Sequence, residues 1–384
     1  MSNGRATILA LVIWSAATTT GCAGRDGTDA VPEADVRARA ELDSLVASAL
    51  TESGTPGAAV AVVEDGRVVV AKGYGLADRE AGAPFTADTR INVASVSKAI
   101  TTLGVLRLIE SGKLRLSDTA NARLSSWAIP DGNYDASGVT VGRLLQHTSG
   151  LGMPSVPWFP VGDAAPSLVE VLRGSPDRAG LSLTQTPGER WSYSGGGFAV
   201  LELLIADLTG RPFEGFMRAE VFGPAGMDST SYGPHPTDAR GYDEAGAPIA
   251  PQRYVGSAAA GLTPTAADFA RLLLFYGSVW HGESPVIGAP TAELVSAAPV
   301  PVELEGVEDA SYGLGHGVHR LRGGGVLLYH TGGNPGFRAL FHALPGSRSG
   351  LFVAVNSDQG VPVLLAVRSW WAERYAGGDV PPLF

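Results

Sequence analysis

Residues 91–98 read Ile-Asn-Val-Ala-Ser-Val-Ser-Lys, and an apolar run, Ala-Ile-Thr-Thr-Leu-Gly-Val-Leu, follows over residues 99–106. The apolar residues leave almost no polar face, which is typical of a helix buried at the centre of a protein. Ser95 and Lys98 are three residues apart, so a helix places them as neighbours at its start. The stretch therefore predicts a central helix that begins with a serine beside a lysine.

A serine next to a buried lysine has a chemical use. A serine hydroxyl is a weak nucleophile unless an adjacent base accepts its proton. Burial penalises the ammonium form and lowers a lysine pKa by up to about 5 units, so a buried Lys98 becomes a usable base. The helix start also directs its positive dipole end to where negative charge would develop. The same spacing occurs by chance in many helices, so the spacing alone does not distinguish a catalytic serine–lysine pair from one without a catalytic role.

Strand-like and helical runs on both sides of this helix indicate the rest of the fold. Residues 58–63 and 68–70 are small or β-branched runs around Asp65-Gly66, which is typical of a β-hairpin. The late part of the chain has four strand-like runs and a final helix, at residues 312–319, 324–329, 337–344, 351–355 and 361–375. Further helical patterns cover residues 32–50, 141–146, 198–208 and 264–275. We expect an α/β fold: one antiparallel sheet completed by both chain ends and flanked by helices, with a helical subdomain of about residues 115–265 inserted.

Composition excludes several classes of function. The 384 residues and 45% apolar content suit one large domain, which we place at about residues 35–380. A net charge of −10 without a clustered basic surface argues against a nucleic-acid partner. The chain has one Cys and seven scattered His, of which His316 and His319 would point to opposite faces of a strand, so we expect no metal and no cofactor. Neither repeats nor a coiled coil is visible, and we expect a monomer.

The N-terminal residues resemble an export signal. Arg5 precedes an apolar run of about a dozen residues, too short for the roughly 20 that span a bilayer but suited to a signal peptide. Cys22 directly follows Gly21, like the acylated cysteine of a bacterial lipoprotein, although Thr19 stands where an aliphatic residue is usual. We expect residues 1–21 to be a lipoprotein-type signal peptide, Cys22 a lipid attachment site that anchors the protein to a membrane, and residues 22–34 a flexible tether. The alternative is a secretory signal with an incidental cysteine; either one predicts export to the periplasm or cell envelope.

Further motifs follow the serine–lysine pair in order along the chain. Residues 144–151 read Leu-Leu-Gln-His-Thr-Ser-Gly-Leu, residues 191–195 Trp-Ser-Tyr-Ser-Gly, residues 330–332 His-Thr-Gly, and residues 334–337 Asn-Pro-Gly-Phe. With these motifs the chain resembles the serine β-lactamase and penicillin-binding-protein family, in the branch of class C β-lactamases, D-alanyl-D-alanine carboxypeptidases and related esterases. The resemblance covers about residues 35–380 and implies a site between a helical region and an α/β sandwich.

The resemblance also implies roles for individual residues. Ser95 would be acylated, and Lys98 and Tyr193 would share proton transfer, with the choice of base left open. Tyr193 could act as a phenolate only if a cation such as Lys98 stabilised it. His147, by contrast, is interpreted as a residue that holds its own loop together.

A strand at the edge of the cleft would carry the remaining site residues. His330 would supply polar or partly cationic character, Thr331 a hydroxyl, and Gly332 room for close approach of the substrate. The backbone N–H groups of Ser95 and Gly333 would form the oxyanion hole.

The substrate is less well indicated than the chemistry. Gly195 stands where many relatives have an Asn whose amide binds the substrate, and the loss of such a hydrogen bond costs about 1 kcal/mol. Efficient β-lactam turnover is therefore doubtful. The sequence predicts a serine hydrolase that acts through an acyl-enzyme on a small-molecule or short-peptide substrate: an ester, an amide or a D-amino-acid peptide. The alternative is a protein of the same fold that binds penicillin or cell-wall ligands without turnover.

Overall fold

The computed structural model of the chain describes residues 33–235, 238–302 and 309–381. The signal peptide predicted for residues 1–21, Cys22, and residues 23–32 of the predicted tether lie outside the described residues. Residues 33 and 34, which we assigned to the tether, belong to the first helix instead. Within the described ranges, no helix combines the length and apolar character needed to cross a membrane.

The described residues contain both helices and strands, with most of the strands near the two ends of the chain. The helices are α1 (Glu33–Ser53), α2 (Val96–Glu110), α3 (Val141–Leu145), α4 (Leu168–Arg173), α5 (Gly195–Thr209), α6 (Phe213–Met217), α7 (Gly223–Ala225), α8 (Ser257–Ala260), α9 (Ala266–Trp280), α10 (Ala289–Ala297) and α11 (Val361–Tyr375). The strands are β1 (Gly57–Glu64), β2 (Arg67–Asp78), β3 (Ala83–Pro84), β4 (Trp158–Pro160), β5 (Ser231–Tyr232), β6 (Gln252–Tyr254), β7 (Leu262–Thr263), β8 (Val300–Pro301), β9 (Ser311–Tyr312), β10 (Gly317–Arg320), β11 (Val326–Asn334), β12 (Phe337–Leu344) and β13 (Ser349–Val355).

One nine-stranded sheet organises the described residues, in the order β3-β2-β1-β13-β12-β11-β10-β9-β8. The predicted hairpin connects β1 and β2, and both of its turn residues, Asp65 and Gly66, have the positive φ that such a turn requires. β1 pairs antiparallel with β13, with Val60 opposite Val353. Both chain ends therefore complete the same antiparallel sheet, as the sequence predicted.

The sheet is buried on both faces, which explains why β1 reads as a continuous apolar run. Ala59, Ala61 and Val63 belong to the core that contains α2, α5 and α9, whereas Val60 and Val62 face the core formed with α1 and α11. Successive side chains of a strand point to opposite faces, so a strand covered on both sides needs apolar residues at every position. The central strands thus form the middle layer between two groups of helices.

Two predictions about the late strands and the middle region need comment. The strand predicted for residues 312–319 is wrong at residues 313–316, which separate β9 from β10. Gly315 has φ +64, and a Cβ there would lie 1.9 Å from the Thr102 hydroxyl, so the chain turns where it meets α2. His316 consequently lies in this turn, and its Nε2 contacts the Tyr276 hydroxyl at 2.6 Å. Residues 115–265 hold α3 to α8 but also two two-stranded ribbons, β4–β6 and β5–β7; their status as a separate subdomain stays a prediction.

Candidate active site

The turn before α2 presents Ser95 to a cleft. Ala94 has φ +48, a backbone conformation that costs energy in a residue other than glycine and tends to occur at functional sites. The Ala94 N–H donates to Asn92 Oδ1 at 3.0 Å, and Ser97 Oγ donates to the Ala94 carbonyl at 2.5 Å. These contacts hold the turn in place, and Ser95 follows it as the half-buried N-cap residue of α2.

Lys98 lies beside Ser95, as the three-residue spacing predicted. Its Nζ donates to Ser95 Oγ at 3.0 Å and to the Ala259 carbonyl at 2.8 Å. Only 2% of the residue is exposed, and burial lowers the pKa of Lys98 to about 7. A substantial fraction of Lys98 is therefore neutral near pH 7, and a neutral amine has a lone pair that can accept a proton.

Tyr193 completes the group that the sequence placed together. Nζ of Lys98 lies 4.8 Å from the centre of the Tyr193 ring. Burial raises the pKa of the Tyr193 hydroxyl well above its usual value, and a hydrogen bond with Ser95 opposes only part of that shift. Tyr193 is therefore a neutral phenol at ordinary pH, not a phenolate.

His147 positions the Tyr193 segment, which agrees with the loop-holding role predicted for it. The Ser194 N–H donates to His147 Nδ1 at 3.1 Å, the Ser192 N–H donates to the His147 carbonyl at 2.7 Å, and the ring centres of His147 and Tyr193 are 4.3 Å apart. Burial, with a smaller contribution from Lys98, holds the pKa of His147 well below its usual value. The imidazole is therefore neutral.

The strand β11 carries the His-Thr-Gly motif past the nucleophile turn, as expected. A Cβ on Gly332 would lie 2.3 Å from the Val93 carbonyl oxygen, so only glycine allows this close approach of the two backbones. The next residue, Gly333, lines the cleft near Ser95. Thr331 is partly exposed between the buried His330 and Gly332.

The partly cationic character expected of His330 is wrong. His330 is 3% exposed, and burial, with a contribution from Lys98, lowers the pKa of His330 to about 3. Its Nδ1 lies 2.6 Å from the Thr331 carbonyl, which can only accept, so Nδ1 carries the hydrogen. Nε2 therefore accepts from the Tyr312 hydroxyl at 3.0 Å. His330 is a neutral residue behind the cleft wall.

Two asparagines near the nucleophile had no role in the sequence interpretation. Asn334 Nδ2 donates to Asn92 Oδ1 at 2.7 Å and to the Ala260 carbonyl at 3.1 Å, and Asn92 Nδ2 donates to the same carbonyl at 3.2 Å. This buried network ties the end of β11 to the strained turn at Ala94. Both asparagines lie inside the motifs quoted above, but nothing in the sequence indicated that they contact each other.

A cavity of about 160 Å³ contains the site. Its lining residues are Ser95, Lys98, Pro154, Ser155, Val156, Trp158, Tyr193, Gly195, Tyr254, Ala259, Ala260, Gly333, Asn334 and Pro335. Among these described residues, Lys98 is the only one with a charged side chain. A larger cavity of about 290 Å³ shares Tyr254 but is not lined by Ser95, Lys98 or Tyr193; the chemistry therefore places the active site in the smaller one.

Arg338, the cationic residue beside Gly333, forms an ion pair with Asp358. Arg338 is paired with Gly333 across β11 and β12. Its Nη1 lies 2.7 Å from Asp358 Oδ1 and donates to the carbonyls of Asn334 and Phe337 at 2.8 Å each. The Arg338 guanidinium is thus paired with the Asp358 carboxylate and hydrogen-bonded to the turn between β11 and β12.

Comparison with known proteins gives the family. The sequence profile of the β-lactamase family matches residues 42–372. The chain belongs to the β-lactamase family. Among curated proteins, esterase EstB of Burkholderia gladioli is 33% identical over 211 residues, which are 49% of this chain and 50% of EstB. The aligned part thus spans only half the length of that relative.

Solved structures agree on the β-lactamase fold. The octameric penicillin-binding protein homologue from Pyrococcus abyssi aligns with a TM-score of 0.72 and 25% identity, over 89% of this chain and 78% of that one. The D-amino acid amidase from Ochrobactrum anthropi SV3, in complex with L-phenylalanine amide, aligns with a TM-score of 0.70 and 21% identity, over 86% and 99% of the two chains. The family and these neighbours include hydrolases of esters and amides, and the resemblance derived from the motifs is confirmed at this level.

Proposed function

We propose that this β-lactamase family member is a serine hydrolase that forms an acyl-enzyme on Ser95. The proposal rests mainly on one observation, the 3.0 Å contact between Ser95 Oγ and a lysine nitrogen whose burial lowers its pKa to about 7. In the neutral form, the Lys98 lone pair accepts the Ser95 proton along this contact while Oγ attacks the substrate carbonyl carbon. The Ser95 and Gly333 N–H groups would stabilise the resulting oxyanion.

The charge states favour Lys98 over Tyr193 as the base for acylation. Lys98 gives up its proton near pH 7, whereas the raised pKa of Tyr193 keeps the phenol protonated. In this scheme, the neutral Tyr193 hydroxyl passes a proton to the leaving group as the carbon–oxygen or carbon–nitrogen bond breaks. Water then attacks the Ser95 ester and gives a proton to the Tyr193 phenolate, while protonated Lys98 returns its proton to Ser95 Oγ as the bond between the acyl carbon and Oγ breaks and the acid leaves.

The cleft favours substrates without a carboxylate beside the scissile bond. β-Lactams and D-alanyl peptides carry such a carboxylate, and its recognition requires a free cation or several donors. A substantial fraction of Lys98 is neutral near pH 7, and Arg338 is paired with Asp358. Gly195 also supplies no amide side chain to the cleft. We therefore propose small uncharged esters as the preferred substrates, with amides second.

The test compares the wild type with Ser95→Ala on three substrates: p-nitrophenyl acetate, a chromogenic cephalosporin and a D-alanyl-D-alanine peptide. We expect the ester to be hydrolysed fastest. Loss of the nucleophile should lower kcat by a factor on the order of 10³ or more, with the Tm changed by only a few degrees. Equal ester hydrolysis by Ser95→Ala would contradict the proposal. A wild-type acyl adduct that never clears would instead favour the binding protein without turnover.

A further inference from the structure

The short helix α8 is an anchoring point for the catalytic residues. Three consecutive carbonyls of α8 accept hydrogen bonds from Lys98, from a threonine on the same helix as Lys98, or from the two asparagines described above. The Ala258 carbonyl accepts from Thr101 Oγ1 at 2.9 Å, and the Ala259 carbonyl accepts from Lys98 Nζ at 2.8 Å. The Ala260 carbonyl accepts from Asn92 and Asn334. The position of Lys98 therefore depends on where α8 lies.

The opposite end of α8 is held by a carboxylate from α5. Glu202 Oε2 accepts from the Ala258 N–H at 2.8 Å and from Ser257 Oγ at 3.2 Å. Glu202 lies within α5, and its neighbours in sequence, Leu201 and Leu203, are buried and apolar. A carboxyl group at such a position is costly unless it is hydrogen-bonded, and α8 provides both donors.

We propose that Glu202 is a positioning residue for Lys98: its carboxylate fixes the amide end of α8, so that the Ala259 carbonyl stays within hydrogen-bond distance of Nζ. This inference rests on the proposed function, in which Lys98 is the base. Glu202 does not line the cavity that contains Ser95. It acts through α8 and touches neither the substrate nor the reacting atoms.

The position of α8 affects Lys98 in two ways. The carbonyl of Ala259 orients the amine, and a misplacement of about 1 Å in catalytic geometry costs on the order of 10²-fold in rate. The same carbonyl stabilises the ammonium form, so its loss lowers the pKa of Lys98 further. Burial raises the pKa of Glu202 itself to about 7, and its hydrogen bonds from Ala258 and Ser257 oppose that shift. The Tyr193 ring lies against Lys98; Lys98 lowers the pKa of His147 and His330, and Glu202 contributes to the raised pKa of Tyr232.

The same helix offers a matched control. Asp207, also on α5, accepts hydrogen bonds from the N–H groups of Ser125 and Ser126 at 2.7 and 3.0 Å. These two serines are far from α8 in sequence. Glu202→Ala and Asp207→Ala therefore each remove a carboxylate that holds backbone N–H groups. Only the first should disturb Lys98.

The experiment measures kcat, KM, the pH profile of kcat and Tm with p-nitrophenyl acetate. We expect Glu202→Ala to lower kcat by roughly ten- to a hundred-fold with little change in KM, and to move the acid limb of the profile to lower pH. Asp207→Ala should lower Tm but keep the kcat and acid limb of the wild type. Glu202→Gln should recover most of kcat, because its amide oxygen still accepts from the Ala258 N–H.

Glu202→Asp covers the possibility that Glu202→Ala does not fold. The shorter side chain keeps the carboxyl group but draws back from Ala258, so its kcat should fall below that of Glu202→Gln. The inference is overturned if Glu202→Asp retains wild-type kcat, or if a folded Glu202→Ala matches Asp207→Ala in kcat and acid limb. Wild-type activity that survives Ser95→Ala would overturn the proposed function instead, so the two failures are distinguishable.

Discussion

Lys98 determines the charge state of the site because it is enclosed by protein. Desolvation lowers its pKa to about 7 and also keeps His147 and His330 neutral. A site with so little fixed charge suits a neutral carbonyl substrate, on which charge appears only during the reaction. At the scale of single residues, burial thus accounts for both the base and the proposed substrate class.

The lowered pKa of Lys98 predicts a pH-dependent stability. The pKa is about 7 in the folded chain and 10.5 without burial, so between these values the unfolded chain binds more protons. The free energy of unfolding contributed by this group therefore rises with pH from about 7 to 10.5 and is flat outside that window.

Lys98→Met should remove this slope. We expect it to raise the free energy of unfolding at pH 7 by roughly 0.5–2 kcal/mol while it abolishes ester hydrolysis. Urea unfolding at a series of pH values measures the slope. The exposed Lys113→Met is the control and should leave both slope and activity unchanged. An unchanged slope in Lys98→Met would contradict the charge state assigned to Lys98.

At the scale of secondary-structure elements, the strand β11 and the turn before α2 are in direct backbone contact at Gly332. Neither element alone would form the proposed oxyanion hole, because Ser95 follows the turn and Gly333 belongs to the strand. The Asn92–Asn334 contact and the Gly332 approach keep the two elements in register.

Gly332→Ala should separate these elements. Its Cβ would meet the Val93 carbonyl at 2.3 Å, and overpacking of this kind costs about 1–3 kcal/mol of stability. We expect kcat to fall as well, because Gly333 moves away from Ser95. Gly333→Ala is the control for stability, since its Cβ meets only the Arg338 side chain, at 3.7 Å. Equal urea midpoints for the two variants would refute this account of Gly332.

The proposed catalytic residues lie apart from the core that packs on one face of the nine-stranded sheet. α2 and α5 pack in the core on one face of the sheet, whereas α1 and α11 close the other face. α1 begins at Glu33, and ten residues of the predicted tether, 23–32, lie between it and Cys22. The lipid attachment and the location in the cell envelope stay predictions.

Leu42→Ala tests this separation. Leu42 is fully buried between α1 and the sheet, and such a truncation costs about 2–5 kcal/mol. We expect the folded protein to keep its kcat, because no catalytic residue belongs to that core. Ile100→Ala, two residues after Lys98 on the catalytic face, should cost a similar amount and also lower kcat. A large kcat loss in Leu42→Ala would show that the two faces are coupled.

The spacing of residues close together in sequence was sufficient to predict several local features of the structure. The final helix was predicted at its observed bounds, residues 361–375, and the Ser95–Lys98 pair follows from helix geometry alone. Tyr193 could be placed in the site only through the family resemblance, because it lies 95 positions after Lys98.

The supporting contacts could not be predicted from spacing. Asn92 and Asn334 are 242 positions apart, and Glu202 and Ala258 are 56 apart, so each pair meets only through the tertiary fold. The sequence left open whether His330 is polar or partly cationic, and the cationic alternative was wrong, because a sequence motif does not reveal which face of β11 is covered. That face is closed by Tyr312, on a strand that the sequence merged with its neighbour.

Identification of the acylated residue is the most direct test of the central claim. The wild type is mixed with p-nitrophenyl acetate, quenched in acid within milliseconds, digested, and mapped by mass spectrometry. We predict an adduct of about 42 Da, the mass that one acetyl group adds, on the peptide that contains Ser95, with less than one adduct per chain at steady state. The adduct should be absent in Ser95→Ala. An adduct on another residue, or labelling that persists in Ser95→Ala, would contradict the account.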